Sequence, residues 1–179
     1  MGEVIVIPFP RSKSAAGRSA EVLAAIDRLG LLSSKAQNLN VPITSVLKLE
    51  NSKFPLVIYL LRLDDEYVGI LKIGMRVLYF HDGRDMRKFS PICVLDFFVT
   101  QQRRGWGKQL FGVMIKHQRI APHALAYDRP SASMFAFLGT HMDLVDLCMQ
   151  GNKFAVASKF FSESNEGTTV DCEFEIIKI

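Results

Sequence analysis

The sequence predicts a mixed α/β domain of the α+β kind, and three observations predict it. Apolar runs at Pro55 to Leu63, Tyr67 to Met75 and Val77 to Phe80 are parted by Asp64-Asp65-Glu66 and closed by Asp82-Gly83, which reads as an antiparallel meander. Ile92 to Val99 is a further apolar strand that breaks into a glycine-containing turn and opens a helix. Beyond that helix, short strand patterns and amphipathic helical patterns alternate to Phe161.

Taken in order, Glu3 to Phe9 is apolar and β-branched, a strand closed by Pro8 and Pro10. Arg11 to Arg18 reads as a polar loop. Ser19 is an N-cap candidate for a helix whose Val22, Leu23, Ile26 and Leu29 keep the three-and-four spacing of a buried stripe, with Gly30 ending or interrupting it. Lys35 to Ser45 carries Gln37, Asn38, Asn40 and Pro42 and reads as a helix end passing into a loop. After the meander, Gly107 to Arg119 puts Leu110, Phe111, Met114 and Ile115 on one helical face. Ala124 to Tyr127 is a short strand, Arg129-Pro130-Ser131 starts a helix with Met134, Phe135 and Leu138 on its apolar face, and Lys153 to Phe161 is a closing strand. The domain therefore spans residues 1–161. Residues 162–179 read as a tail, although Cys172 to Ile179 alternates enough to pair with a strand.

Composition excludes several classes. A chain of 179 residues with 49% hydrophobic and 22% charged residues is a globular domain able to bury a core, and not a disordered one. The run Pro55 to Leu61 is far too short to span a bilayer, so no membrane helix is expected. Val6 stands where a myristoylation signal wants Ser or Thr, and no signal-peptide layout precedes the domain, so a cytosolic protein is expected. Cys93, Cys148 and Cys172 are odd in number and widely separated, which argues for reduced thiols over disulfides or a zinc site. The net charge of +4 hints at an acidic partner or a phosphate-rich ligand.

The most informative stretch is Gln102-Arg103-Arg104-Gly105-Trp106-Gly107-Lys108. A strand that breaks into a Gly-x-Gly turn and opens a helix aims several backbone N–H groups at one point, with the helix dipole behind them. Glycines at 105 and 107 admit positive φ and close approach of a ligand, and Arg103, Arg104 and Lys108 add charge, so the turn reads as a pyrophosphate cradle. The form Q/R-x-x-G-x-G/A at such a turn resembles the acetyl-coenzyme A loop of GCN5-related N-acetyltransferases. Four further stretches narrow the resemblance: Lys35-Ala36-Gln37-Asn38-Leu39, Pro42-Ile43-Thr44-Ser45, Cys93-Val94-Leu95-Asp96-Phe97 and Asp128-Arg129-Pro130-Ser131. With the turn, they resemble in order the α-tubulin N-acetyltransferase family over roughly residues 20 to 161.

The resemblance implies a mixed central sheet flanked by helices, acetyl-CoA as cosubstrate with no metal, and transfer of the acetyl group to a lysine of α-tubulin in microtubules by direct attack in a ternary complex. It implies a monomer that binds neither nucleic acid nor membrane, located in the cytoplasm on the microtubule cytoskeleton, with cilia or flagella among its sites. By the same resemblance Gln37, Cys93 and Asp128 are the catalytic candidates. The cofactor candidates are Phe97, Phe98 and Val99 on a strand edge, Gln102, Arg103, Arg104, Gly105, Trp106, Gly107 and Lys108 in the turn, and Ser131, Ser133, Met134 and Phe137 on the next helix. The chain departs from the animal members at Ser133 and Thr140, where lysines are expected, and the stretch from Asp96 to Gly105 is about two residues shorter.

The chemistry has its own logic beside the family. A lysine amine with a pKa of about 10.4 is a free nucleophile about once in a thousand at neutral pH, so some group must take its proton. Asp128, at a strand end before a helix start, suits either an N-cap or a base whose pKa apolar walls would raise. Cys93 is either a buried small apolar residue or a supporting or proton-accepting group. Strand alternation puts Cys93 and Asp96 on opposite faces unless a bulge intervenes, and Asp96 reads as structural or substrate-side. Gln37, by default a solvated amide, can orient a lysine without titrating. His81, His117, His123 and His141 match no catalytic position. Three classes stay open: a tubulin lysine acetyltransferase, an acetyltransferase with another amine acceptor, and a non-catalytic binding module for microtubules or nucleic acid resting on Arg103, Arg104 and Trp106.

Overall fold

The computed structural model describes residues 2–10, 18–162, 173 and 175–179. Among these residues ten strands and four α-helices follow in order: β1 (Gly2–Phe9), α1 (Ala20–Ala36), α2 (Val46–Glu50), β2 (Leu56–Leu63), β3 (Glu66–Met75), β4 (Leu78–His81), β5 (Met86–Phe89), β6 (Ile92–Val99), α3 (Trp106–Gln118), β7 (Ala126–Asp128), α4 (Ala132–Met142), β8 (Leu147–Met149), β9 (Phe154–Ala157) and β10 (Glu175–Lys178). Eight strands form one sheet in the order β10-β1-β2-β3-β6-β7-β9-β8. All neighbours are antiparallel except β6 and β7.

Both faces of the sheet are covered, which is why its central strands read as continuous apolar runs. On one face Val22, Ile26 and Leu29 of α1 pack on Ile5, Ile7, Ile58, Leu60, Ile70 and Leu95. On the other, Leu110, Phe111 and Met114 of α3 and Leu138 of α4 pack on Val4, Val6, Val57, Tyr59, Leu61, Leu71 and Val94. Alternation along β2 thus sends Ile58 and Leu60 to α1, and Val57, Tyr59 and Leu61 to α3.

Several elements differ from the sequence expectation. Gly30 neither ends nor interrupts α1: a Cβ there would lie 2.0 Å from the Thr44 carbonyl oxygen, so the glycine lets the segment before α2 cross the helix at backbone contact. The segment after α1 contains α2, five residues capped by Ser45 and too short to show a period in sequence. Val77 to Phe80 is not the third strand of a meander. β3 instead pairs with β6 from Gly69↔Val99 to Met75↔Ile92, and β4 turns away to form a two-stranded ribbon with β5. That ribbon places Arg87 and Lys88 on a strand rather than in a turn. The closing strand stops at Ala157, and a 3-10 turn over Ser158–Phe161 buries Phe160. β8 had no sequence signal. β10 pairs with β1 from Glu3↔Lys178 to Val6↔Glu175. The predicted loop at 11–17 and the polar stretch 163–172 lie outside the described residues.

Candidate active site

β6 and β7 pair in parallel at only two positions, Cys93↔Ala126 and Val94↔Tyr127. β7 ends at Asp128 and turns away through Arg129-Pro130-Ser131 into α4, while β6 continues to Val99 with β3 on its other side. Where the pairing stops, a cleft opens. It is lined by Val94, Leu95, Asp96 and Phe97 from β6, by Tyr127 to Ser131 and Met134 from the opposing wall, and by Gln37 from the end of α1. Two of the three catalytic candidates, Gln37 and Asp128, are therefore brought together.

Asp128 does not cap α4. The cap is Ser131, whose Oγ accepts from the Met134 N–H at 3.2 Å. The Asp128 side chain is 17% exposed, and both its oxygens are held by the Arg129 guanidinium, at 2.9 Å from Nε and 3.2 Å from Nη2. Arg129 itself sits at φ 43°, in the left-handed region, a conformation costing about 1 kcal/mol that its N–H hydrogen bond to the Lys153 carbonyl at 2.9 Å helps offset.

Cys93 does not line the cleft. It is fully buried one position before the cleft wall, its Sγ donating to the Pro91 carbonyl at 3.5 Å. Burial pushes its thiol up to about 12, with Arg76 opposing and Asp128 reinforcing the shift. A group so placed is a protonated thiol at neutral pH.

A bulge does intervene in β6. Lys72 pairs with Asp96 and Ile73 with Val94, leaving Leu95 as the extra residue. Cys93, Leu95 and Phe98 consequently pack on the α1 side, and Asp96 joins them there: it is 4% exposed and accepts from Ser33 Oγ at 2.7 Å, Thr44 Oγ1 at 2.5 Å and Gln37 Nε2 at 3.3 Å. Lys72, 7% exposed, donates to the Ile43 carbonyl at 2.7 Å. Burial pushes its pKa down to about 8, against the pull of Asp96 and with the help of Arg76. Ser33, Thr44 and Lys72 were missed in the sequence. The available signal was Lys72 itself, the one charged residue inside the apolar run Tyr67 to Met75.

The glycine turn lies at the far end of β6. The Thr100 N–H bonds the Val68 carbonyl at 2.8 Å, Arg103 takes φ 60° and Gly105 φ 81°, and α3 then begins with no side-chain cap. Its first-turn amides are left without capping partners, as an anion cradle requires. Gly107 does not adopt positive φ; it lies in the first turn of α3, where a Cβ would come 3.3 Å from the Phe97 ring. Its role here is close packing of helix on strand. Gln102, Arg103, Arg104 and Lys108 are exposed and Trp106 is half-buried.

Phe97 lines the cleft, lies against Gly107 of the turn, and meets Phe137 at a tilt at 5.1 Å and Phe111 edge-on at 5.7 Å. Val99 shares that face, whereas Phe98 packs on the α1 side. Met134 lines the cleft, and Ser131 and Ser133 are exposed at the start of α4. No histidine lines the cleft. His117 is buried between Tyr59, whose hydroxyl lies 2.8 Å from Nδ1, and Glu175 of β10, 3.5 Å from Nε2. Among the described residues no group of three or more His, Cys, Asp or Glu side chains gathers in a metal-binding arrangement.

A mixed sheet whose one parallel pair parts at a cleft, followed by an uncapped glycine turn that starts a helix, defines a GNAT-type acetyltransferase domain. The chain belongs to the GNAT acetyltransferase, Mec-17 family, whose model matches residues 5–174. It is 41% identical over 167 residues to Alpha-tubulin N-acetyltransferase 1 of Danio rerio, covering 84% of this chain and 56% of that relative. It is 37% identical over 156 residues to an Alpha-tubulin N-acetyltransferase of Schistosoma japonicum, covering 78% and 57%. A third relative, the Alpha-tubulin N-acetyltransferase of Plasmodium knowlesi (strain H), is 35% identical over 144 residues, covering 79% and 77%. The chain thus spans a little over half the length of the first two relatives.

Proposed function

We propose that this protein transfers an acetyl group from acetyl-CoA to a lysine side chain of α-tubulin in microtubules, by direct attack of the amine in a ternary complex. The observation that carries the reading is the cleft at the parting of β6 and β7, which holds Gln37 and Asp128 and has in its wall Phe97, whose ring lies against Gly107 of the glycine turn. Acetyl-CoA, when bound, supplies the acetyl group as an activated thioester. The residues present fit such a ligand. The uncapped amides at the start of α3, with Arg103, Arg104 and Lys108, suit its pyrophosphate; the β6 edge at Phe97 to Val99 suits its amides; Ser131, Ser133, Met134 and Phe137 flank it from α4.

Asp128 is the group we assign to the amine's proton, because it lines the cleft and its carboxylate retains lone pairs beyond those Arg129 engages. Cys93, buried and held as a thiol, packs behind the reacting centre and does not take the proton. Gln37 orients the acceptor. The exposed Arg84, Arg87 and Lys88 on the β4–β5 ribbon suit capture of a strongly acidic polymer, in the cytoplasm and on its microtubules. Mass analysis of purified tubulin incubated with the protein and acetyl-CoA tests the reading, with acetylated α-tubulin as the expected product. Efficient acetylation of unrelated amines with none on α-tubulin would make it an acetyltransferase for another acceptor, and no acetylation of any amine would leave a binding module.

A further inference from the structure

Four polar side chains, Ser33, Thr44, Lys72 and Asp96, are buried in the apolar layer between α1 and the sheet, the exposed Gln37 reaches them from the end of α1, and their donors and acceptors fix one arrangement. Asp96, as a carboxylate, can only accept. Ser33 Oγ therefore donates its single proton to Asp96 Oδ1 at 2.7 Å, and must itself accept from Gln37 Nε2 at 2.9 Å. The second Gln37 contact, 3.3 Å to Asp96 Oδ1, also runs through Nε2. Both contacts demand a donor from Gln37, so the amide nitrogen is turned inward and the carbonyl oxygen Oε1 is the atom that Gln37 offers to the cleft it lines. The rest of the cluster holds Asp96 in place. Thr44 donates to Oδ2 at 2.5 Å, and Lys72, opposite Asp96 in the strand register, places a cation beside it while donating to the Ile43 carbonyl at 2.7 Å. Gly30 lets the Thr44 carbonyl rest against the α1 backbone.

We propose that Asp96 and Ser33 are positioning residues for acetyl transfer, acting through Gln37: they set its amide so that an acceptor oxygen faces the cleft, where it receives an N–H of the incoming primary amine. This rests on the acetyltransferase reading above. It explains why a charged group is buried at the bulge next to the cleft rather than an apolar one, which would have satisfied the core at lower cost. An amide turned the other way would present N–H groups to an amine that itself donates.

The test is a mutant cycle of Ser33→Ala and Gln37→Ala, with kcat and KM measured on an α-tubulin peptide and on microtubules at saturating acetyl-CoA. Gln37→Ala is expected to lower kcat at least tenfold, and Ser33→Ala threefold or more, with the apparent affinity for acetyl-CoA unchanged in both. The double variant is expected to match Gln37→Ala alone, because Ser33 has nothing left to orient. Asp96→Asn, which can donate where Asp96 only accepts, is expected to behave as Ser33→Ala in the same cycle. Effects that multiply independently in the folded double variant, or an unchanged kcat in Ser33→Ala beside an impaired Gln37→Ala, would overturn the positioning role and leave the acetyltransferase reading standing. A parent protein that acetylates neither peptide nor polymer would overturn both.

Discussion

At the scale of single residues, Asp128 and Cys93 lie one strand apart yet in opposite chemical conditions. Asp128 lines the cleft, whereas Cys93 is sealed in the core with its thiol raised to about 12. Asp128→Asn should therefore lower turnover by about 100-fold to 10,000-fold while acetyl-CoA affinity, read by calorimetry, stays within a few-fold of the parent. Cys93→Ala should cost less turnover and more stability, since it removes a packed sulfur and no base. Cys93 stabilises the fold as a protonated group: its contribution is full below pH 9 and is lost as pH rises from 9 toward 12, where the unfolded chain sheds a proton that the folded one keeps. A pH–rate profile of Cys93→Ser that keeps the parental acid limb would agree with Asp128 as the base. Loss of that limb would sink the assignment.

At the scale of elements, the glycine turn and β3 each make a separable prediction. Gly105 holds φ 81° with open space around it, so Gly105→Ala changes the backbone preference and clashes with nothing in the protein. It should weaken acetyl-CoA binding several-fold at a stability cost of about 1 kcal/mol. Gly107→Val should weaken binding as well, but through the Phe97 ring, and should lower the melting temperature more than Gly105→Ala. Unchanged acetyl-CoA affinity in both folded variants would remove the cradle. In β3, Lys72 is held at about 8 rather than 10.5, so between those values the unfolded chain binds more protons than the folded one and stability rises with pH. That rise, at most about 3 kcal/mol, should vanish from Lys72→Met when its denaturation is compared with the parent from pH 7.5 to 10.5. The strands and helices that bury a full stripe were legible from spacing alone, as were Ser19 and the start of α3. What escaped were elements too short to carry a period, α2 and β8, and the departure of β4, decided by a long-range competition in which β6 takes the edge of β3. The site was legible as far as its motifs reached. Lys72 left a mark as the lone charge in an apolar run, but Ser33, Thr44 and the true cap at Ser131 needed the third dimension, because burial and donor partners are not properties of a stretch of sequence.

At the scale of the whole molecule, the two covered faces of the sheet carry different elements, α1 on one and α3 and α4 on the other, and the proposed function gives the first to the acceptor and the second, with the glycine turn, to the cofactor. The β4–β5 ribbon stands apart from the main sheet, with Arg84, Arg87 and Lys88 exposed. Attraction between these cations and an acidic polymer is screened over about 8 Å at physiological salt, so raising salt should increase the apparent KM for microtubules and leave kcat nearly unchanged. Arg87→Glu with Lys88→Glu should reproduce that effect at low salt, and a kcat that falls in step with KM would show that the ribbon does more than capture. Leu95 has the widest reach of any single position. As the surplus residue of β6, it makes the strand two half-strands in opposite phase. Without that surplus, strict alternation running on from Cys93 would send the Asp96 carboxylate toward the aromatic cluster of α3 and α4 and the Phe97 ring toward the hydroxyls of α1. Deleting Leu95 itself would instead straighten the strand and leave Lys72 opposite Asp96 and Ile73 opposite Val94, so each side chain beyond it would keep its face and one leucine would be lost from the α1 side.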